Sequence, residues 1–128
     1  MEAAFSIAVD PSRDLVVMTL SGFFTVADLG RFDAERRAAF ARLRCGPNRH
    51  LTLVDTSRIS IQAQDMVARF GAVIAEPAFR ARRIAFVTAS SLARSQLQRA
   101  IGGRDARVFT DARDAEHWLL SDEASAAA

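Results

Sequence analysis

The stretch Leu51-Thr52-Leu53-Val54-Asp55-Thr56-Ser57 decides the fold: an apolar run of strand length stops abruptly at an acid and two hydroxyls. A strand that lacks charged alternation is one covered on both faces, which places it in a sheet flanked by helices. The run is therefore expected to span Leu51 to Val54, with its carboxyl end at the surface. In open α/β sheets the carboxyl ends of strands are where ligands and partners dock, so Asp55, Thr56 and Ser57 mark the first candidate site.

Outward from this strand, the flanking periodicities alternate. Upstream, Ala3 to Val9 and Leu15 to Leu20 are β-prone runs separated by Asp10-Pro11-Ser12-Arg13-Asp14, which reads as an antiparallel hairpin. Thr25-x-x-Asp28 has the form of a capping box, predicting a helix over Val26 to Leu43 with Val26, Leu29, Phe32, Ala39, Phe40 and Leu43 near one face. On its outer face Arg31/Glu35 and Asp33/Arg37 are spaced to pair, and Cys45-Gly46-Pro47-Asn48 ends it. Downstream, Gln62 to Glu76 is a second helix carrying Met66, Val67, Phe70, Val73 and Ile74, closed by Pro77. Ile84 to Thr88 is the next buried strand. Ser90 and Ser91 cap a helix through Leu92, Ala93, Leu97, Ala100 and Ile101, which Gly102-Gly103 stops. Arg107 to Thr110 is a short strand, and Asp111-x-x-Asp114 caps a last helix with Ala115, Trp118 and Leu119. The order ββαβαβαβα, joined by short right-handed crossovers, gives an α/β fold with a single mixed, mostly parallel sheet after an N-terminal hairpin. Residues 1–120 form one domain, and 121–128, without apolar periodicity, are expected to fray.

Composition narrows the classes. The chain has 128 residues, enough for one core that buries about two-thirds of the unfolded surface. No segment approaches a membrane span of roughly 20 apolar residues. The lone Cys45 allows no intrachain disulfide, in keeping with a reducing, cytoplasmic setting. All 17 basic residues are Arg, yet 15 acidic residues leave a net charge of only +2, a weak footprint for specific nucleic-acid binding.

This element order, with Leu51 to Val54 running into Asp55-Thr56-Ser57, resembles the SpoIIAA-like proteins, the fold group of the STAS domain and of bacterial anti-sigma-factor antagonists. Gly22-x-x-Thr25, Arg83-Ile84-Ala85-Phe86-Val87, and Val108-Phe109-Thr110 before Trp118-Leu119 are similar to an uncharacterised bacterial branch of that group. In the antagonists a strand ends in Asp-Ser-Ser-Gly, and a partner kinase phosphorylates the second Ser at the start of the next helix. The resemblance therefore implies a regulatory, non-enzymatic module with a protein partner and a phospho-site at Ser57. Asp55 and Ser57 match that pattern, Thr56 replaces Ser, and Arg58 stands in place of Gly, adding a bulky cation where a partner would approach. The competing reading of Thr56 and Ser57 is an ordinary cap or turn.

Other residues support other chemistries less well. His50 and Ser57 are seven positions apart along an extended segment, roughly 20 Å, so no local Ser/His/Asp triad forms. Cys45 and His50 do not complete a metal ligand set, and no cofactor motif occurs. Arg80, Arg82 and Arg83 are a candidate anion contact ahead of a strand. Phe23 and Phe24, with Met66 and Phe70, are candidates to line an apolar pocket, the alternative function being a small apolar-ligand or lipid carrier. Exposed apolar positions leave a homodimer open.

Overall fold

A computed structural model describes residues 2–46, 48–60, 62–100 and 105–121. The order expected from sequence holds. Strands β1 (Ala4–Asp10) and β2 (Leu15–Gly22) are followed by helix α1 (Val26–Phe40), strand β3 (Leu51–Ile59) and helix α2 (Gln64–Ile74). A 3₁₀ turn (Pro77–Phe79) leads to β4 (Arg83–Val87), then α3 (Ser91–Ala100), β5 (Ala106–Phe109) and α4 (Ala112–Leu120). The five strands lie in sequence order, β1 antiparallel to β2 and the rest parallel. Gly102-Gly103 and the tail from 122 lie outside the described residues, as do the side chains of Ala93, Leu97 and Ala100.

Alternation along the strands sorts two cores onto the two sheet faces. Val16, Met18 and Leu20 of β2, Val54 of β3, and Ile84 and Phe86 of β4 meet Leu29 and Phe32 of α1 and Met66 of α2. Phe5, Ile7 and Val9 of β1 pack at the edge of this larger core. Leu15, Leu51, Leu53, Ala85 and Val87 face the other way, under Ala115 and Leu119 of α4. β4, buried along its whole length, and Leu51–Val54 are thus covered on both sides, as their unbroken apolar character requires.

Local chemistry starts α1 and α4 where expected, whereas α2 opens at Gln64 instead of Gln62, with no side-chain cap on Ala63. The Thr25 hydroxyl accepts the Asp28 amide at 3.2 Å while the Asp28 carboxylate accepts the Thr25 amide at 2.8 Å, a complete capping box. The Asp111 carboxylate accepts from the Arg113 and Asp114 amides to open α4. Ahead of α1, Gly22 has φ +80°, and a Cβ there would collide with the Glu2 carbonyl oxygen. Only glycine fits.

Two expectations need correction, and one buried charge has no mark in the sequence. Val26, placed on the apolar face of α1, is 56% exposed, because the first turn projects beyond the sheet end. Arg36, by contrast, is buried inside the same helix, held by Asp33 and by Glu76 from beyond α2. Last, β3 does not end at Val54 but runs to Ile59.

Candidate functional site

The extra length of β3 is built on a bulge. Thr19 pairs with Asp55, yet Ser21 pairs with Arg58, so Thr56 and Ser57 together oppose the single residue Leu20. The added residue inverts the facing of everything after it. Ile59 therefore joins the core under α1 and α2 with Val54, and Arg58 comes to the face that carries Thr19, Ser21 and Asp55.

Side chains supply the hydrogen bonds that the bulge displaces. The Asp55 carboxylate accepts both the Ser57 amide, at 3.0 Å, and the Ser57 hydroxyl, at 2.7 Å. Thr56 donates its hydroxyl to the Val87 carbonyl at 2.8 Å, closing the end of β4. Next to it, Gln62 ties the strand end to the chain entering α1: its amide nitrogen donates to the Gly22 and Ser60 carbonyls and its oxygen accepts the Phe24 amide. Asp55 and Thr56 are half-buried, whereas Ser57 and Arg58 are exposed.

Two consequences follow for the expected site. Asp55, Thr56, Ser57 and Arg58 do sit together at the carboxyl end of the sheet. Ser57, however, is not at a helix start, because α2 opens only at Gln64. Helix amides therefore do not face its hydroxyl; the neighbouring charges are Asp55 and Arg58.

Four of the five exposed large apolar side chains among the described residues lie at this end. Phe23 (46% exposed) lies between β2 and α1, and Val26 (56%), Val67 (52%) and Leu92 (67%) lie in the first turns of α1, α2 and α3. Each of these helices follows a parallel strand, so all their first turns are at the carboxyl end. Sequence periodicity placed Val26, Val67 and Leu92 on buried faces, since it registers which side a residue is on and not how far the helix overhangs the sheet.

The expected apolar pocket is instead packed core. Phe24 is 1% exposed and meets Phe70 edge-on at 5.2 Å, Phe70 meets Phe32 at 5.8 Å, and Met66 is buried beside them. Phe23, in the link between β2 and α1, is at the surface instead. A surface depression of about 320 Å³ lies elsewhere, along α4 at Arg113, Glu116, His117, Leu120 and Ser121.

Of the three candidate anion contacts, Arg80 and Arg82 are exposed, but Arg83 is 2% exposed. It donates to the Trp118 and Ser121 carbonyls at the end of α4 and lies 6.0 Å from the Trp118 ring centre. Arg83 closes the fold. His50 precedes β3 at the amino end of the sheet, so it and Ser57 are at opposite ends of one strand. Burial, with the Asp14 charge and its hydrogen bond, pushes the Cys45 thiol up, away from a reactive thiolate.

No protein-family model matches the chain, and no curated protein matches it. Solved structures do. An uncharacterised protein of the DUF3478 family with a SpoIIAA-like fold, from Shewanella loihica PV-4, superposes with a TM-score of 0.72 at 16% identity, covering 93% of this chain and 96% of that one. An anti-sigma factor antagonist from Mycobacterium paratuberculosis superposes with a TM-score of 0.58 at 10% identity, covering 92% and 96%. The antiparallel hairpin, the parallel run that follows it and the coverage of nearly every residue identify a SpoIIAA-like fold.

Proposed function

We propose that this protein is a non-enzymatic, cytoplasmic interaction module whose protein partner docks at the carboxyl end of the sheet, around Asp55, Thr56, Ser57 and Arg58. The observation that carries the reading is the group of exposed apolar residues, Phe23, Val26, Val67 and Leu92, at the end that also holds these polar groups. Apolar anchors beside a small polar centre suit a protein interface. The fold likeness to an anti-sigma factor antagonist supports a partner of protein kind.

Phosphorylation of Ser57 is the switch in this reading. Its hydroxyl donates to Asp55, so a phosphate bearing about −1.5 to −2 charge removes that donor and sets like charges side by side. The bulge, which loses the Ser57 hydroxyl bond to Asp55, and an acidic partner surface would both respond. Arg58, the next residue, is the cation within reach of the new charge.

The test is quantitative affinity capture from the native cells, comparing the original chain with Phe23→Ala/Val67→Ala, Ser57→Asp and Ser57→Ala. A specific partner should fall at least about tenfold with the apolar double variant and with Ser57→Asp, and stay with Ser57→Ala. A partner retained by all three variants overturns the docking surface; one lost only from the apolar variant overturns the switch.

A further inference from the structure

The other end of the sheet is built differently. Since α1 and α2 run back from the carboxyl end, the residues that follow them reach the amino end of β3 and β4, bringing Arg42, Arg44, Arg49, Arg80 and Arg82 to one rim. All five are exposed. Segments 41–50 and 77–82 contain no acidic residue.

These loops are clamped. Asn48, at φ 63°, a left-handed value that Asn tolerates, donates its side-chain amide to the Pro77 and Arg80 carbonyls, each at 2.9 Å. The Arg82 amide donates to the His50 carbonyl at 2.8 Å, and Arg82 Nε to the Arg49 carbonyl at 3.4 Å. Guanidiniums far apart in sequence are thus presented from one fixed double loop.

Their charge is not spent internally. The ion pairs found among the described residues belong to Arg13, Arg31, Arg36 and Arg37. Glu76 is taken by Arg36 and Arg37. Among the described residues, the other acids toward this end are Asp10 and Glu116, which share Arg13, Asp14, bonded to the Cys45 thiol, and Asp105, just ahead of β5, against the five arginines. In a chain of net charge +2, that is a segregated positive surface.

Its occupant can be argued from what the rim lacks. Protein interfaces need buried apolar anchors, yet Phe23, Val26, Val67 and Leu92 are all at the opposite end, leaving Leu120 at the end of α4. Single-stranded nucleic acid needs free aromatic faces; Phe79, the aromatic between the loops, is already stacked on Phe40 at 5.1 Å and lies under Arg36 and Arg37. Duplex readers present a helix or ribbon to a groove, and this rim is two short loops. A planar array of phosphates read by charge alone remains, and planar guanidinium forks suit phosphate oxygens.

We infer that the arginine rim is a peripheral docking surface for anionic phospholipid headgroups. It is independent of the reading of Ser57, and it would place the protein-docking end facing away from the bilayer.

Sedimentation of the full chain with phosphatidylcholine vesicles, with and without phosphatidylglycerol, tests this. Binding is expected only to the anionic vesicles, and to vanish at high salt. Each guanidinium contributes about fivefold, so Arg44→Gln/Arg80→Gln/Arg82→Gln should weaken binding roughly 100-fold, while Arg31→Gln/Arg94→Gln, away from this rim, leaves it unchanged. Circular dichroism of both variants confirms that they fold. No sedimentation with anionic vesicles at low salt, equal loss in both variants, or tighter binding to a duplex DNA oligonucleotide than to the vesicles would each overturn the assignment.

Discussion

His50 is 4% exposed, its ring 4.8 Å from that of Phe40, and its Nε2 has no hydrogen-bond partner among the described residues. Burial first, and the nearby Arg36 charge second, hold its pKa below the usual histidine value, against the opposing pull of Asp14. The folded state thus keeps the ring neutral while the unfolded chain protonates near pH 6.5. Stability should be flat above that pH and fall as pH drops through it, by at most about 1.4 kcal/mol per unit. Thermal melts between pH 8 and pH 5 check this, and His50→Gln should flatten the slope; an unchanged slope in that variant would reject the assignment. The carboxylates of Asp10 and Asp28, held low by Ser12 with Arg13 and by Thr25, act only at more acidic pH. Sequence allowed His50 to be excluded from a local triad, but nothing in the string showed that it is buried beside an arginine.

At the scale of elements, β3 separates what periodicity reveals from what pairing imposes. Leu51 to Val54 are legible because their apolar run has no other use than a covered strand. Asp55 to Arg58 look like a terminus, since polar residues usually end strands; here β2 continues to Gly22 and offers backbone partners, and Asp55 replaces the hydrogen bonds lost at the bulge. Deleting Ser57 should remove the bulge and turn Ile59 from the core to the opposite face. The expected cost is about 1–2 kcal/mol, from the apolar area exposed, whereas Ser57→Ala, which keeps the residue count, should cost under about 1 kcal/mol. Denaturant midpoints of the two variants decide this, and equal costs would mean that the bulge does not set the register. The first helix was more legible: Thr25 and Asp28 contact each other directly, so two residues three positions apart carry the whole signal.

Across the whole molecule, α1 and the segment after α2 are joined by an ionic cluster. Arg36, 1% exposed, donates to Asp33 and Glu76 at 2.9 Å, and Arg37 reaches Glu76 at 2.6 Å. Burial pushes the Asp33 carboxyl up, but Arg36 and Arg37 override it and hold it below its ordinary value. Glu76→Gln should destabilise the fold by about 1.5–3 kcal/mol, because a buried guanidinium loses a charged acceptor while keeping Asp33. An urea midpoint unchanged by that substitution would refute the role.

The sequence alone determined the order of elements, the hairpin, the buried strands and the capped starts of α1 and α4, and through the parallel crossovers it determined which residues reach the carboxyl end. These follow from contacts between near neighbours and from periodicities of two and 3.6 residues. Tertiary structure alone decided that Arg36 and Arg83 are enclosed while Arg42, Arg44, Arg49, Arg80 and Arg82 are displayed, that Phe24 is core and Phe23 surface, and that Ser57 belongs to a bulged strand. Burial depends on what packs over a residue from distant positions, and 17 arginines scattered along the chain carry no local mark of it.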